Sequence, residues 1–250
     1  MEKKPILFSP IRNRRTFDEI STEIKKMILE GTFKPGDKLP SESEIARQFN
    51  VGRQTVREAL RMLELSGFIT VQKGGGGGSV ITNTILKTIS KSFLDAAIMK
   101  NISVSELTVA RVEIEKLVIS HAIANSTDKD IAILNENIRK ATDKISQGIQ
   151  AFDENIDFHI LLAQASKNGV FTIVVESIMA ITADFLSRIP QTVEISKKVL
   201  DEHKQVLEAI VKRDKERAIR LMEEHLAFLD EKFKMSFEEI VGQKRLGGKE

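Results

Sequence analysis

The sequence predicts a mainly α-helical protein in two parts: a small N-terminal unit that ends in a two-stranded hairpin, and an all-α helical bundle of about seven helices. Two observations predict this division. Strand-like runs occur only between residues 69 and 81, on either side of five consecutive glycines. Beyond residue 82, apolar residues recur at helical spacing throughout. The length of 250 residues suits two modest domains.

The N-terminal unit begins with a basic arm over residues 1–15, which shows no apolar period. A first helix is predicted from Phe17 to Glu30, where Gly31 follows as a stop signal. Ser41 starts a second helix, because its spacing to Glu44 is that of a capping box.

A third helix follows a short break at Asn50-Val51-Gly52 and runs to about Ser66. Two short strands come next, at Ile69–Gln72 and Ser79–Ile81, and form the hairpin. One face of the third helix is apolar and consists of Val56, Ala59, Leu60 and Leu63.

The rest of the chain divides at polar and glycine- or proline-containing breaks into seven helical segments. We expect an N-terminal domain over residues 1–82, a helical domain over 83–240 and a tail over 241–250. The predicted helices are 84–100, 103–124, 127–148, 150–167, 169–189, 193–212 and 214–240.

Composition excludes several classes of protein. With no cysteine, the chain has no disulfide and no thiolate nucleophile, and any metal must be held by other side chains. No apolar run approaches the ~20 residues that span a bilayer, and no signal peptide is evident, so we expect a cytoplasmic protein without a membrane partner. Residues 1–82 contain 14 Lys+Arg against 10 Asp+Glu, whereas the remainder is slightly acidic. This distribution of charge suits an N-terminal domain that binds nucleic acid.

The third helix is the predicted DNA reader. A helix pair with a tight turn and a two-stranded wing forms a winged helix-turn-helix, which places one helix in the major groove. Guanidinium and amide groups can read guanine, adenine or phosphate. Opposite its apolar face the helix carries Arg53, Gln54, Thr55, Arg57 and Arg61.

The run GTFKPGDKLPSESEIARQFNVGRQTVREALRMLELSGFITVQKGGGG resembles the DNA-binding domain of the GntR family of bacterial regulators. This resemblance implies a homodimer on a near-palindromic double-stranded operator. Two positions depart from many relatives: Ser43 stands where an arginine is common, and Lys73 where some carry histidine. The DNA-contacting positions it implies are Gly52, Arg53, Gln54, Thr55, Arg57, Lys73 and Gly74.

Three of the four histidines, His159, His203 and His225, lie on apolar helix faces on three different helices. Each alone could be a core histidine, but together they can occupy three positions around a divalent metal, with zinc or nickel favoured. Asn155, one helical turn before His159, could supply a fourth ligand. His121 has no partner in this pattern, and we expect it to pack in the core.

The segment NIDFHILLAQASKN resembles the D..FH..L...SGN motif of the FadR-like branch, whose C-terminal domain is called FCD. In metal-binding members one carboxylate and three histidines hold the ion, and the resemblance assigns these positions to Asn155, His159, His203 and His225. Because an amide replaces the carboxylate here, metal affinity should fall somewhat.

Arg111 shares an apolar face with Leu107, Ile114 and Val118, and its segment ARVEIE resembles the family's R..lE motif. A buried arginine normally needs an anion. Arg111 could therefore bind the carboxylate of a small organic acid effector, or pair with Glu115 one turn on.

The interpretation is a DNA-binding transcription regulator, not an enzyme, controlled by a small carboxylate bound near a metal in the helical domain. An alternative keeps the regulator but makes the histidines structural and the effector independent of metal. A further alternative is a metal-dependent enzyme, since three histidines with an open position also describe a hydrolytic zinc site. No motif supplies the base that such an enzyme needs.

Overall fold

The computed structural model of the chain describes residues 15–72, 78–82, 84–187 and 192–246, with side chains from Thr16 to Lys232. It divides into two compact units, Met1–Thr88 and Ile89–Glu250. Most of the predicted arm, the wing tip with Lys73 and Gly74, and the break at Pro190 lie outside the described residues.

The N-terminal unit contains α1 (Arg15–Leu29), α2 (Glu42–Phe49), α3 (Arg53–Leu65), β1 (Ile69–Gln72) and β2 (Gly78–Ile81). The two strands are antiparallel, with Ile69 opposite Ile81. The order and bounds of these elements confirm the predicted winged helix-turn-helix to within about two residues.

The turn between α2 and α3 sets the direction in which α3 follows α2. Asn50 adopts a left-handed conformation with φ of 52°, and its N–H donates to the carbonyl groups at the end of α2. Gly52 is then the N-cap of α3. The predicted apolar face of α3 is buried, so the opposite, polar face lies toward solvent.

The predicted capping box at Ser41 forms only in part. Ser41 Oγ accepts a hydrogen bond from the Glu44 N–H at 3.2 Å. The Glu44 carboxylate instead accepts from Arg47 Nη2 at 2.6 Å, because a guanidinium one turn away is a stronger donor than the backbone. Complete capping boxes begin two helices of the bundle, at Ser103–Glu106 and Thr127–Asp130.

The described part of the second unit is a bundle of seven helices, which confirms the predicted number. They are α4 (Ile85–Met99), which starts in the first unit, α5 (Val104–Asn125), α6 (Asp128–Ser146), α7 (Phe152–Ala165), α8 (Gly169–Leu186), α9 (Val193–Val211) and α10 (Lys215–Leu246). The expectation of a tail from residue 241 is wrong, because α10 continues to Leu246. Gly242 lowers helix propensity by only about 1 kcal/mol relative to alanine, and the residues after it favour a helix.

Helix α5 lies at the centre of the bundle, in contact with α7, α8, α9 and α10. Its side chains Val118 and Ile119 are buried in one core with Phe158 and Leu162 of α7 and Met222 of α10. A polar side chain that α5 turns inward must therefore find a partner on α5 itself or on one of these neighbours.

Helix α8 is the one described helix long and apolar enough to cross a membrane by length and composition, with a mean hydropathy of 1.7. From the sequence we predicted no apolar segment of this length. In the structure α8 packs against α5 and α7 and contributes Val175, Ile178 and Met179 to the core. Packing inside the bundle therefore accounts for the apolar residues on the buried third of α8.

Gly67 follows α3 and, among the seven glycines from Gly31 to Gly169 that the structure describes, is the one at which a side chain is least tolerable. Its φ is +77°, and a Cβ there would lie 2.6 Å from Thr88 Oγ1 and 3.0 Å from the Thr84 carbonyl oxygen. Gly31 has a similar φ of +80° but nothing within 4 Å of the same position. A comparison of alanine substitutions at these two glycines therefore distinguishes the cost of backbone strain from the cost of steric overlap.

We expect Gly67→Ala to destabilise the N-terminal unit by more than the ~1–2 kcal/mol that a left-handed alanine costs, because overlap adds to strain. Gly31→Ala should cost only the strain. Hydrogen exchange of the α3 amides in the full chain measures both. Equal losses in the two variants would contradict the close packing at Gly67.

Candidate metal centre and nucleic-acid interface

Helices α7, α9 and α10 bring His159, His203 and His225 together inside the bundle. One ring nitrogen from each lies within 4.8 Å of the others. All three side chains are buried, and His225 is completely inaccessible. The ring of His203 stacks on Phe158 with centroids 4.0 Å apart, which fixes its orientation. The spacing places three imidazoles around one point, as a metal ion requires.

Two carboxylates determine which ring nitrogens are free. Glu115 Oε2 lies 2.6 Å from His159 Nδ1, and Glu202 Oε2 lies 2.8 Å from His225 Nδ1. Since a carboxylate accepts hydrogen bonds, each Nδ1 must carry the proton, and each Nε2 keeps its lone pair. Carboxylates that orient histidine ligands in this way are common around zinc.

Two of the remaining nitrogens lack protein partners. Within the described residues, His203 Nε2 and His225 Nε2 are buried and form no hydrogen bond. Buried polar atoms without a partner cost about 1–3 kcal/mol each, and two in one cluster therefore need a physical reason. A cation coordinated by these nitrogens satisfies both, so the residues present fit a divalent metal.

Burial sets the charge of the cluster. It lowers the pKa of His159 to about 4, although the Glu115 carboxylate opposes this. Burial, together with the neighbouring His225 and His159, also lowers the pKa of His203 well below its ordinary value. Both rings are therefore neutral near pH 7, which is the state that binds metal.

Asn155 lies one turn before His159 on α7 and is half-buried. Its Oδ1 is buried and has no hydrogen-bond partner among the described residues. An unsatisfied amide oxygen on the helix face of His159 is compatible with the role of fourth ligand.

Arg111 is buried on α5 and pairs with Glu115, since its Nε lies 2.6 Å from Glu115 Oε1. Burial alone would raise the pKa of the Glu115 carboxyl. The charges of His159 and Arg111, with the hydrogen bonds that both donate, lower that pKa to about 2. With His159 neutral, Arg111 is the cation that balances Glu115. One carboxylate thus links Arg111 to the histidine cluster.

A small cavity borders Arg111, with a volume of about 10 Å³, which is room for about one water molecule. Thr108 of α5, Thr182 and Phe185 of α8, and Leu226 of α10 also line it. The cavity therefore lies where α5, α8 and α10 meet, beside the Arg111–Glu115 pair.

The fourth histidine corrects one expectation. His121 is exposed and packs edge-on against Phe171 at 5.2 Å between ring centroids, so it is not a core residue. The buried line of α5 runs through Val118 and Ala122, and His121 lies about 100° from Ala122 around the helix.

The described DNA-contact candidates lie together at the start of α3. Gly52, Arg53, Gln54 and Arg57 are exposed, and Thr55 is half-buried. Arg57 Nη2 lies 2.9 Å from Glu42 Oε2, and Gln54 Nε2 donates to Glu58 at 3.2 Å. This polar surface, free of core contacts, is suited to enter a groove of DNA.

Sequence reasoning missed three acidic side chains at these sites. Glu202 and Glu42 were not singled out, and Glu115 was considered only as a partner of Arg111. Glu202 lies 23 residues before His225, and Glu115 lies 44 residues before His159. No local pattern joins residues so far apart on different helices.

Comparison with known proteins gives two family matches. Residues 16–77 match the bacterial regulatory proteins of the gntR family, and residues 106–228 match the FCD domain. The chain is 30% identical to the Exu regulon transcriptional regulator of Escherichia coli, over 85% of this chain and 82% of that protein. It is 29% identical to the Uxu operon regulator of Haemophilus influenzae, over 85% and 79%.

Among solved structures, the fold resembles a GntR protein of Streptococcus agalactiae with a TM-score of 0.64. The match covers 86% of this chain and 99% of that chain at 22% identity. At this identity the similarity supports the fold.

We expect Glu115→Gln to lower the free energy of unfolding by about 3–5 kcal/mol, because it leaves the Arg111 charge buried without its partner. Glu113→Gln is the matched control, since Glu113 is 70% exposed and pairs with Lys116 at the surface. It should change stability by less than about 1 kcal/mol. Urea unfolding followed by circular dichroism compares the two, and equal losses would mean that Glu115 does not stabilise Arg111.

Proposed function

The chain belongs to the GntR family of bacterial regulatory proteins, with an FCD domain after the DNA-binding unit, and from this we propose that a small organic acid controls the affinity of this transcription regulator for its operator. The observation that carries the proposal is the Arg111–Glu115–His159 network, which places a cation beside a candidate metal centre. As a DNA-binding regulator it acts in the bacterial cytoplasm.

The proposed metal centre uses Asn155, His159, His203 and His225, with zinc or nickel as the favoured ions. A bound divalent ion would supply a Lewis-acidic position for an effector carboxylate. The chain's own contribution is orientation, because Glu115 and Glu202 hold two of the rings with Nε2 free. The uncharged Asn155 leaves more positive charge at the site than a carboxylate ligand would, which favours an anionic effector.

The proposed effector contact is Arg111, whose remaining N–H groups can bind a carboxylate. The adjoining cavity holds about one water molecule, so an organic acid can enter only if α5, α8 and α10 separate. Effector binding must therefore select a different packing of the bundle. In a homodimer, such a change would alter the spacing of the two DNA-binding units, and with it the fit to an operator with two half-sites.

The proposed DNA contacts are Gly52, Arg53, Gln54, Thr55 and Arg57 of the helix-turn-helix, with Lys73 and Gly74 at the wing. The first five lie on the surface that α3 turns away from its core. Their guanidinium and amide groups match the hydrogen-bonding edges of guanine and adenine in the major groove.

We expect Arg57→Ala to weaken binding to an operator duplex by about 1–3 kcal/mol, because it removes one bidentate base contact. Arg139→Ala is the control: Arg139 is an exposed arginine of α6 that pairs with Glu136 and Asp143, and its loss changes the net charge equally. Fluorescence anisotropy with a duplex selected by the protein from a random library measures both affinities. Unchanged affinity in the Arg57 variant would remove it from the DNA-binding surface.

We expect His203→Ala to lower the affinity for Zn²⁺ or Ni²⁺ by more than the roughly 10- to 100-fold that loss of an outer-shell partner costs. His203→Asn gives a polar side chain in the same position if the alanine variant proves unstable. His121→Ala is the control, because His121 lies outside the cluster. Competition with a chromophoric chelator measures binding to the metal-free protein. Wild-type affinity in both His203 variants would make the histidines structural and favour an effector that binds without metal.

A further inference from the structure

Glu42, the first residue of α2, lies against two arginines at the start of α3. Its Oε2 lies 2.9 Å from Arg57 Nη2, and its Oε1 accepts from Arg57 Nε at 3.3 Å. The same Oε2 lies 3.7 Å from Arg53 Nη2. The pair with Arg57 is bidentate, with two guanidinium nitrogens facing the two carboxylate oxygens. One acidic side chain thus contacts both arginines proposed to read DNA.

The exposure of these side chains argues against a mainly structural role. The Glu42 side chain is 32% exposed, and those of Arg57 and Arg53 are 56% and 64% exposed. Ion pairs at this exposure contribute little to stability. Their main physical effect is on the direction and the net charge of the two guanidinium groups.

We propose that Glu42 is a specificity-determining residue of the DNA-binding surface, which orients Arg57 and weakens the attraction of Arg57 and Arg53 for phosphates of any sequence. The inference rests on the proposed placement of both arginines on DNA.

The bidentate contact accounts for orientation. It engages the edge formed by Nε and Nη2 of Arg57 and leaves the edge formed by Nη1 and the second N–H of Nη2 to bind two acceptors of a base. A guanidinium held in one plane loses less conformational entropy when it pairs with a base. The hydrogen bond with Arg57 lowers the pKa of Glu42, so its carboxylate is ionised at any pH used for DNA binding.

The negative charge of Glu42 accounts for the weaker attraction of Arg57 and Arg53 for phosphates. Binding to DNA of arbitrary sequence comes from neutralising phosphates, and its affinity falls as salt rises in proportion to the number of phosphates contacted. A fixed carboxylate beside two arginines cancels part of their charge toward phosphate. The oriented guanidinium of Arg57 can still donate hydrogen bonds to well-placed acceptors on a base. The ratio of the affinity for the operator to the affinity for random DNA therefore increases.

The test compares wild type, Glu42→Gln and Glu44→Gln. Glu44 is an acid on the same helix whose carboxylate pairs with Arg47 and Gln48, not with α3, so its variant makes the same change in net charge. Each full-length protein is titrated by fluorescence anisotropy against two duplexes at several KCl concentrations. One duplex is selected by the wild-type protein from a random library, and the other has a scrambled sequence.

We expect Glu42→Gln to bind the scrambled duplex about three- to fivefold more tightly than Glu44→Gln does. Its plot of log affinity against log salt should be steeper by up to about one. Affinity for the selected duplex should rise less or fall, so that the ratio of the two affinities decreases.

Two results would overturn the inference: the same change in both variants, or a rise in Glu42→Gln that is equal for the two duplexes. Arg57→Ala, titrated in parallel, separates this outcome from failure of the proposed function. If Arg57→Ala binds the selected duplex as wild type does, the placement of α3 on DNA is wrong. If it binds weakly while Glu42→Gln behaves as its control, only the role of Glu42 is lost.

Discussion

Three buried imidazoles inside an apolar bundle impose a constraint that the surrounding helices must satisfy. A neutral imidazole has one nitrogen that donates a hydrogen bond and one that accepts. Among the described residues, the Nε2 atoms of His203 and His225 are buried without a partner. Glu115 and Glu202 accept from two of the rings, and Phe158 packs against the third. The helices α5, α7, α9 and α10 are thereby held in one arrangement, with free nitrogens directed at a common point. The function proposed for this unit depends on that arrangement.

The same constraint connects the cluster to Arg111. Glu115 uses one oxygen for Arg111 and the other for His159, so a change at either residue alters the charge that the other experiences. The adjoining cavity is too small for an organic acid, so the effector proposed to bind there would have to separate three helices. A closely packed bundle in which one carboxylate links Arg111 to the histidine cluster suits a switch between two packings.

Much of the fold could be predicted from the sequence because it depends on local signals. The apolar face of α3, the glycine after α1 and the polar breaks between the bundle helices all lie within a few residues of what they determine. The prediction failed where two local signals compete. Glu44 has both a backbone N–H and Arg47 within reach and pairs with Arg47, and α10 runs through Gly242 because the residues around it favour a helix.

Only those residues of the candidate site that lie on an apolar helix face could be predicted from the sequence. His159, His203 and His225 could be identified by their apolar neighbours, and the structure brings them together. Glu202 and Glu42 could not, since each looks like an ordinary surface acid until another helix places a histidine or an arginine beside it. His121 shows the opposite error. It follows Val118 of the apolar face by one helical turn, but at that position the side chain lies on the exposed side of α5.

We propose that the three imidazoles and their supporting carboxylates form a metal centre in a homodimeric, effector-controlled regulator. Native mass spectrometry of the gently purified full-length protein tests it most directly, because one spectrum reports subunit number, bound metal and any retained small molecule. We expect a dimer with one divalent ion per chain. A dimer that stays metal-free after incubation with zinc and with nickel would contradict it, and would leave the histidines a structural role.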